Sequence, residues 1–141
     1  MTLVIDASVA LKWFIEEDGS AHAGALLTET DLLIAPDLIV AEVCNAAWKA
    51  VRSGTMLPAQ QDHAASRLSA VLDELVPLAP FATRAATMSR VLDHPAYDCF
   101  YLALAEQRAA KLITADQRFL GRIKGTEWEK HLVGLKSWTA R

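Results

Sequence analysis

The sequence predicts an α/β fold with a mainly parallel central sheet and helices on both of its faces. Three observations lead there. Short runs rich in β-branched and large apolar residues alternate along the chain with longer runs whose apolar residues recur at helical spacing. That alternation is the mark of strand, helix, strand units joined by right-handed crossovers. No repeat, low-complexity tract or linker interrupts it, so residues 1–141 are expected to form one domain.

The elements follow in order. Leu3 to Ile5 (LVI) reads as a buried strand with Asp6 at its carboxyl end, and Ala7 to Glu16 as a helix with Asp6 or Ser8 as its cap. Gly19 breaks that pattern; Ser20 to Thr30 is an Ala/Leu-rich second helix, and Leu32 to Ala35 a short strand. Pro36 is expected to open a new element. From Asp37 to Arg52 the residues Leu38, Ile39, Val43, Ala46 and Ala47 mark a helix that Ser53-Gly54 stops. Pro58 to Leu72 is a further helix, Glu74 to Leu78 a strand, and Phe81 to Leu92 a helix. His94-Pro95 interrupts it, because the residue before proline is pushed out of the helical region. An almost wholly apolar helix runs from Tyr97 to Ala110, a fourth strand from Leu112 to Ala115, a short helix from Gln117 to Ile123, and a closing strand near His131 to Leu135.

Composition narrows the classes. Hydrophobic residues make up 52% of the chain, enough for a sizeable core. Charge interrupts every apolar run well before the roughly 20 residues a membrane span needs, and Met1 leads straight into a strand-like segment without a basic leader. A soluble, cytoplasmic protein with no membrane partner is therefore expected. Cys44 and Cys99 sit in apolar helical stretches and read as reduced, buried thiols. The net charge of -3 means that any nucleic-acid partner must be met by a local basic surface or by metal ions.

Four carboxylates stand in otherwise apolar surroundings: Asp6 in LVIDAS, Glu42 in LIVAEVCNAA, Asp98 in YDCFYLALA and Asp116 in LITADQRF. An ionised carboxylate beside buried surface costs several kcal/mol unless it is paired or bound to metal. Asp6, Asp98 and Asp116 each precede a helix, where the plain role of an aspartate is an N-cap worth about 1 kcal/mol. Glu42 has no such use in mid-helix; its plain role is a solvated face shared with Asn45 and Lys49. Ligands of open α/β sheets collect at the carboxyl ends of the strands, where Asp6 and Asp116 fall. If all four acids meet at that edge they repel one another, and the pocket needs a cation.

DASVALKWF from Asp6, PDLIVAEVCNA with Glu42, YDCFYLALAE with Asp98 and TADQRF with Asp116 together resemble the PIN domain, in particular the VapC-type toxins of bacterial toxin-antitoxin pairs. The resemblance spans essentially the whole chain, with the motifs in order. It implies a three-layer α/β/α sandwich and a ribonuclease that hydrolyses RNA phosphodiester bonds, inhibited by a cognate antitoxin and acting as a homodimer. By the same resemblance Asp6, Glu42, Asp98 and Asp116 are the acidic metal-binding and catalytic residues, and Ser8 and Thr114 support them through their hydroxyls. Oxygen ligands suit Mg2+ or Mn2+, and no Cys/His grouping has zinc-like spacing. Such an ion can activate water, hold a scissile phosphate and neutralise the charge that develops on it, so hydrolysis needs no nucleophilic side chain. Asp6, Asp98 and Asp116 are then the metal ligands, while Glu42 orients the attacking water or a second ion.

Smaller features rank below the acids. Lys49 shares a helical face with Glu42 and Lys12 follows Ser8 by one turn, so either is a candidate phosphate contact or an ordinary surface lysine. Arg118 and Arg122 form a helical pair that serves RNA or faces water, and Trp13, Trp48, Trp128 and Trp138 are expected in the core or at an interface. His22, His63, His94 and His131 show no ligand pattern; His94 is expected only to sit in the turn before Pro95, and a histidine-based nuclease mechanism is rejected. Two rivals remain. A receiver-type phosphoacceptor domain, or a phosphatase with an Asp nucleophile, would carry a second acid near Asp6 that Asp6-Ala7-Ser8 lacks. A catalytically silent acidic interaction module would bind no divalent ion.

Overall fold

A computed structural model describes residues 1–29 and 31–139. Its centre is a five-stranded sheet in the order β3-β2-β1-β4-β5, formed by β1 (Thr2–Ile5), β2 (Leu32–Pro36), β3 (Glu74–Val76), β4 (Lys111–Thr114) and β5 (Leu132–Gly134). All pairings are parallel. The apolar triplets identified in the sequence fill the middle of this sheet: Leu3, Val4, Ile5, Leu112 and Ile113 are fully buried.

The connections are α1 (Ala7–Ala10), α2 (Ser20–Leu26), α3 (Leu38–Arg52), α4 (Pro58–Val71), α5 (Ala82–Leu92), α6 (Ala96–Arg108) and α7 (Gln117–Ile123). The chain steps from β1 to β2 to β3 in one direction and then returns across the sheet to β4. Right-handed crossovers therefore put the helices that follow β1 and β2 on one face and those that follow β3 on the other. Packing follows that division: α3 lies against α1 and α4, whereas α6 lies against α5 and spans β1, β2 and β4. The result is the three-layer α/β/α sandwich. The stripe Ile39, Val43 and Ala47 turns α3 to the core, and α6 buries Cys99 and every residue from Tyr101 to Ala105, as its position over the middle of the sheet requires.

Several boundaries differ from those expected. The helix predicted over Ala7 to Glu16 is α-helical only to Ala10 and continues as a tighter turn over Leu11–Trp13, where the Trp13 indole donates to the Ala23 carbonyl at 2.8 Å. The second helix ends at Leu26 rather than Thr30; Thr30 itself lies outside the described residues. Pro36 closes β2 instead of opening a new element, and Asp37 then takes the N-cap place of α3. β3 stops at Val76 because the chain turns over Ala79–Phe81. α6 ends at Arg108 because Ala109 adopts a left-handed conformation with φ 50°. Cys99 is buried as expected, but Cys44 is only half-buried.

Candidate metal centre

β1 is the point where the strand order reverses. Its carboxyl end and that of β4 flank the crevice in which open α/β sheets place ligands. The register Ile5↔Ile113 is extended by one bond, Asp6 N–H to the Ile113 carbonyl at 3.1 Å, which brings Asp6 beside Thr114. Thr114 Oγ1 donates to Asp6 Oδ2 at 2.7 Å, and Ser8 Oγ donates to the same oxygen at 2.7 Å. Both hydroxyls are themselves held, Ser8 by the Ala115 N–H and Thr114 by the Asp116 N–H. Asp6 thus sits at the N-cap of α1 without capping it; its side chain makes no bond to the helix backbone.

The other three acids come from separate helices. Asp98 lies in the first turn of α6 rather than at its cap, and its Oδ2 is 2.6 Å from His94 Nε2. The His94 ring is in turn stacked on Phe119 of α7, with centroids 4.9 Å apart. Asp116 does cap α7, its Oδ1 accepting from the N–H groups of Arg118 and Phe119. Glu42, in the second turn of α3, has a buried Oε1 with no hydrogen-bond partner. The hydroxyl of Tyr101, fully buried in α6 and close to Glu42, lacks a partner as well.

All four carboxylates line one open cleft of about 570 Å³, together with Ser8, Asn45, Lys49 and Tyr97. Thr114 is fully buried, outside the lining, and reaches the cleft only through its bond to Asp6. Lys12 is turned away, bound to Glu17 and to the Asp18 carbonyl, so of the two candidate lysines only Lys49 reaches the acids' cleft. His94 sits in the turn before Pro95 as expected, but its bond to Asp98 was not anticipated; the spacing of four residues between them was the available signal.

The electrostatics describe a strained cluster. Desolvation raises the Asp6 carboxyl to about 7; the Ser8 and Thr114 hydroxyls oppose the rise, and the charges of Asp98 and Glu42 add to it. Burial also raises Glu42, with the Tyr101 hydroxyl opposing and Asp98 reinforcing. Asp98 is raised by burial and by Asp116, against the pull of His94.

The donor set fits a hard divalent cation. Each aspartate is anchored through one oxygen, leaving Asp6 Oδ1, Asp98 Oδ1 and Asp116 Oδ2 without hydrogen bonds among the described residues, as is the buried Oε1 of Glu42. Uncommitted carboxylate oxygens at the edge of a half-buried cleft are the ligands Mg2+ and Mn2+ prefer. No three acidic, histidine or cysteine side chains among the described residues stand close enough to form a ready-made cage. Mutual repulsion of like charges is sufficient reason for carboxylates in such a cleft to stand apart.

Residues 3–124 match the sequence profile of the PIN domain. A relative named Ribonuclease VapC3, from Pyrobaculum aerophilum, is 29% identical over 123 residues, covering 84% of this chain and 92% of its own length. Two crystal structures share the fold. PAE2754 from Pyrobaculum aerophilum superposes with a TM-score of 0.69 at 20% identity, over 96% of this chain and 85% of its own. VapBC2 from Rickettsia felis, bound to a DNA fragment from its promoter, superposes with a TM-score of 0.66 at 15% identity, over 95% and 98%.

Proposed function

The chain belongs to the PIN domain family, and from that premise we propose that it is a divalent-cation-dependent endoribonuclease, the toxin of a type II toxin-antitoxin pair. The observation that carries this reading is the division of labour within each aspartate, one oxygen fixed by the protein and one left for a ligand. Asp6, Asp98 and Asp116 are the residues that would hold Mg2+ or Mn2+. When bound, the ion supplies positive charge against the negative charge that builds on a phosphodiester under attack.

The chain's own residues do the rest. Ser8 and Thr114 keep Asp6 in one orientation at the end of β1, and His94 does the same for Asp98. Glu42, raised by burial and with its buried Oε1 unpaired, would orient the attacking water and accept its proton. Lys49 is the cation within the same cleft available to a substrate phosphate. The family resemblance and the ribonuclease relative support RNA as the substrate. They also support a small antitoxin that covers the cleft, a homodimer, action in the cytoplasm, and residues 1–141 working as one nuclease domain. Among the described residues no helix is long and apolar enough to cross a membrane.

Purified, partner-free protein incubated with total cellular RNA tests this reading. Cleavage is expected with Mg2+ or Mn2+, and none with chelator or in Asp98→Asn. Cleavage that persists in the variant would sink the assignment of this site. Expression alone should arrest growth, and co-expression of a small neighbouring protein should relieve it; failure of both removes the toxin role.

A further inference from the structure

A second cleft, of about 390 Å³, adjoins the acidic one. Asp98 and Asp116 line both, so the two are halves of one groove with those carboxylates at its middle. Beyond them the second half is lined by Asp93, His94, Pro95, Arg118, Gly121 and Arg122. Arg118 and Arg122 stand four residues apart on α7 and therefore project from the same side of that helix.

Neither arginine is committed. Arg84 and Arg108 each bind a glutamate through a charged pair, to Glu106 at 2.8 Å and to Glu74 at 2.7 Å. The Arg118 and Arg122 guanidinium groups make no ion pair or hydrogen bond among the described residues, although three aspartates share their cleft. A chain of net charge -3 with an acidic centre repels a polyanion, so any strand reaching that centre needs cations beside it. Lys49 lies in the first half of the groove and the two arginines in the second, on either side of the shared carboxylates. The lining at Gly121 is open: apart from the backbone of its own helix and its two chain neighbours, nothing lies within 4 Å of where a Cβ would stand.

We propose that Arg118 and Arg122 form a phosphate subsite for single-stranded RNA, holding the phosphodiester next to the one presented to Asp6, Glu42, Asp98 and Asp116. Planar guanidinium groups bind phosphate oxygens in a forked geometry that an ammonium group does not provide. The subsite rests on the ribonuclease reading and gives it a direction, since the strand leaves the acidic centre along α7.

Wild type, the double variant Arg118→Gln/Arg122→Gln, Gly121→Glu and the control Arg67→Gln on α4 are compared in two measurements. One is RNA cleavage with Mg2+ or Mn2+; the other is binding of a short oligoribonucleotide in chelator across a salt series. The double variant should raise KM about tenfold while changing kcat less, and should flatten the salt dependence of binding by about 0.7 in log-log slope for one lost phosphate contact. Gly121→Glu, which places a negative charge in the open lining without removing a contact, should weaken binding in the same sense. Arg67→Gln should behave as wild type. If wild type cleaves RNA and both groove variants keep its KM and salt slope, the subsite is wrong and the ribonuclease reading stands. A wild type that neither binds nor cleaves RNA overturns both.

Discussion

Thr114 Oγ1 donates a 2.7 Å hydrogen bond to Asp6 Oδ2, joining the carboxyl ends of two adjacent parallel strands. The same Oγ1 accepts the Asp116 N–H, so one buried hydroxyl positions two of the candidate metal ligands. Thr114→Val keeps the volume and removes both bonds. It should destabilise the protein by about 1 to 3 kcal/mol, the usual cost of leaving buried polar groups unpaired. Urea denaturation of the metal-free protein measures it, and a loss of cleavage larger than the loss of folded protein is expected alongside.

His94 anchors Asp98 while stacked on Phe119. His94→Phe preserves an aromatic ring for the stack but cannot hydrogen-bond the carboxylate. Removal of a group that orients a metal ligand typically costs 10-fold to 100-fold in affinity or activity. The expected result is a fall in Mn2+ affinity and in kcat of about that size, with the thermal midpoint close to wild type. His94→Asn, which can donate to Asp98, should recover part of the loss.

Tyr101 and Glu42 each bury a polar atom without a partner. If those atoms serve only packing, Tyr101→Phe should raise stability and leave function alone, because an unpaired buried hydroxyl is costly. The account expects a different split. Metal-free Tyr101→Phe should be as stable as wild type or more so, yet bind Mn2+ more weakly, because the hydroxyl favours the ionised form of Glu42. Differential scanning fluorimetry with and without Mn2+ separates the two effects.

Asp6 gives the metal-free protein a definite pH dependence. Its folded carboxyl titrates at about 7 against an ordinary 3.8, so between those values the folded state keeps a proton that the unfolded chain has released. Stability therefore falls as pH rises from about 4 to about 7, by at most on the order of 4 kcal/mol for this group. Glu42 and Asp98, also raised, contribute with the same sign. Binding of a divalent ion to the ionised acids offsets that loss, so Mg2+ should raise the melting temperature more at pH 8 than at pH 5. Equal metal-induced shifts at both values would remove the link between these acids and the ion.

The layer order and strand cores were legible because Leu3 to Ile5, Leu33 to Ala35 and Leu112 to Ile113 are continuous apolar runs that only a doubly covered sheet accommodates. Boundaries were less so. The early end of α1 accompanies an indole bond from Trp13 to Ala23, and the end of α6 a left-handed alanine, neither of which leaves a local pattern. Among the site residues, Asp6 and Asp116 announced themselves by following strands. The plain capping role held for Asp116 alone. The His94 bond spans only four residues and its spacing was in view, whereas the orphaned Tyr101 hydroxyl depends on α6 meeting α3, and the placement of Arg118 and Arg122 beside the acids on α6 meeting α7, which spacing along a single helix does not encode.

The central claim is that Asp6, Asp98 and Asp116, gathered with Glu42 in one cleft, bind a divalent ion as a unit. Calorimetric titration of Mn2+ into metal-free wild type and Asp98→Asn at pH 8 tests it most directly. The account predicts saturable binding to wild type, weakened at least about tenfold by the variant. Indistinguishable binding to the two proteins, or none to wild type, would contradict it.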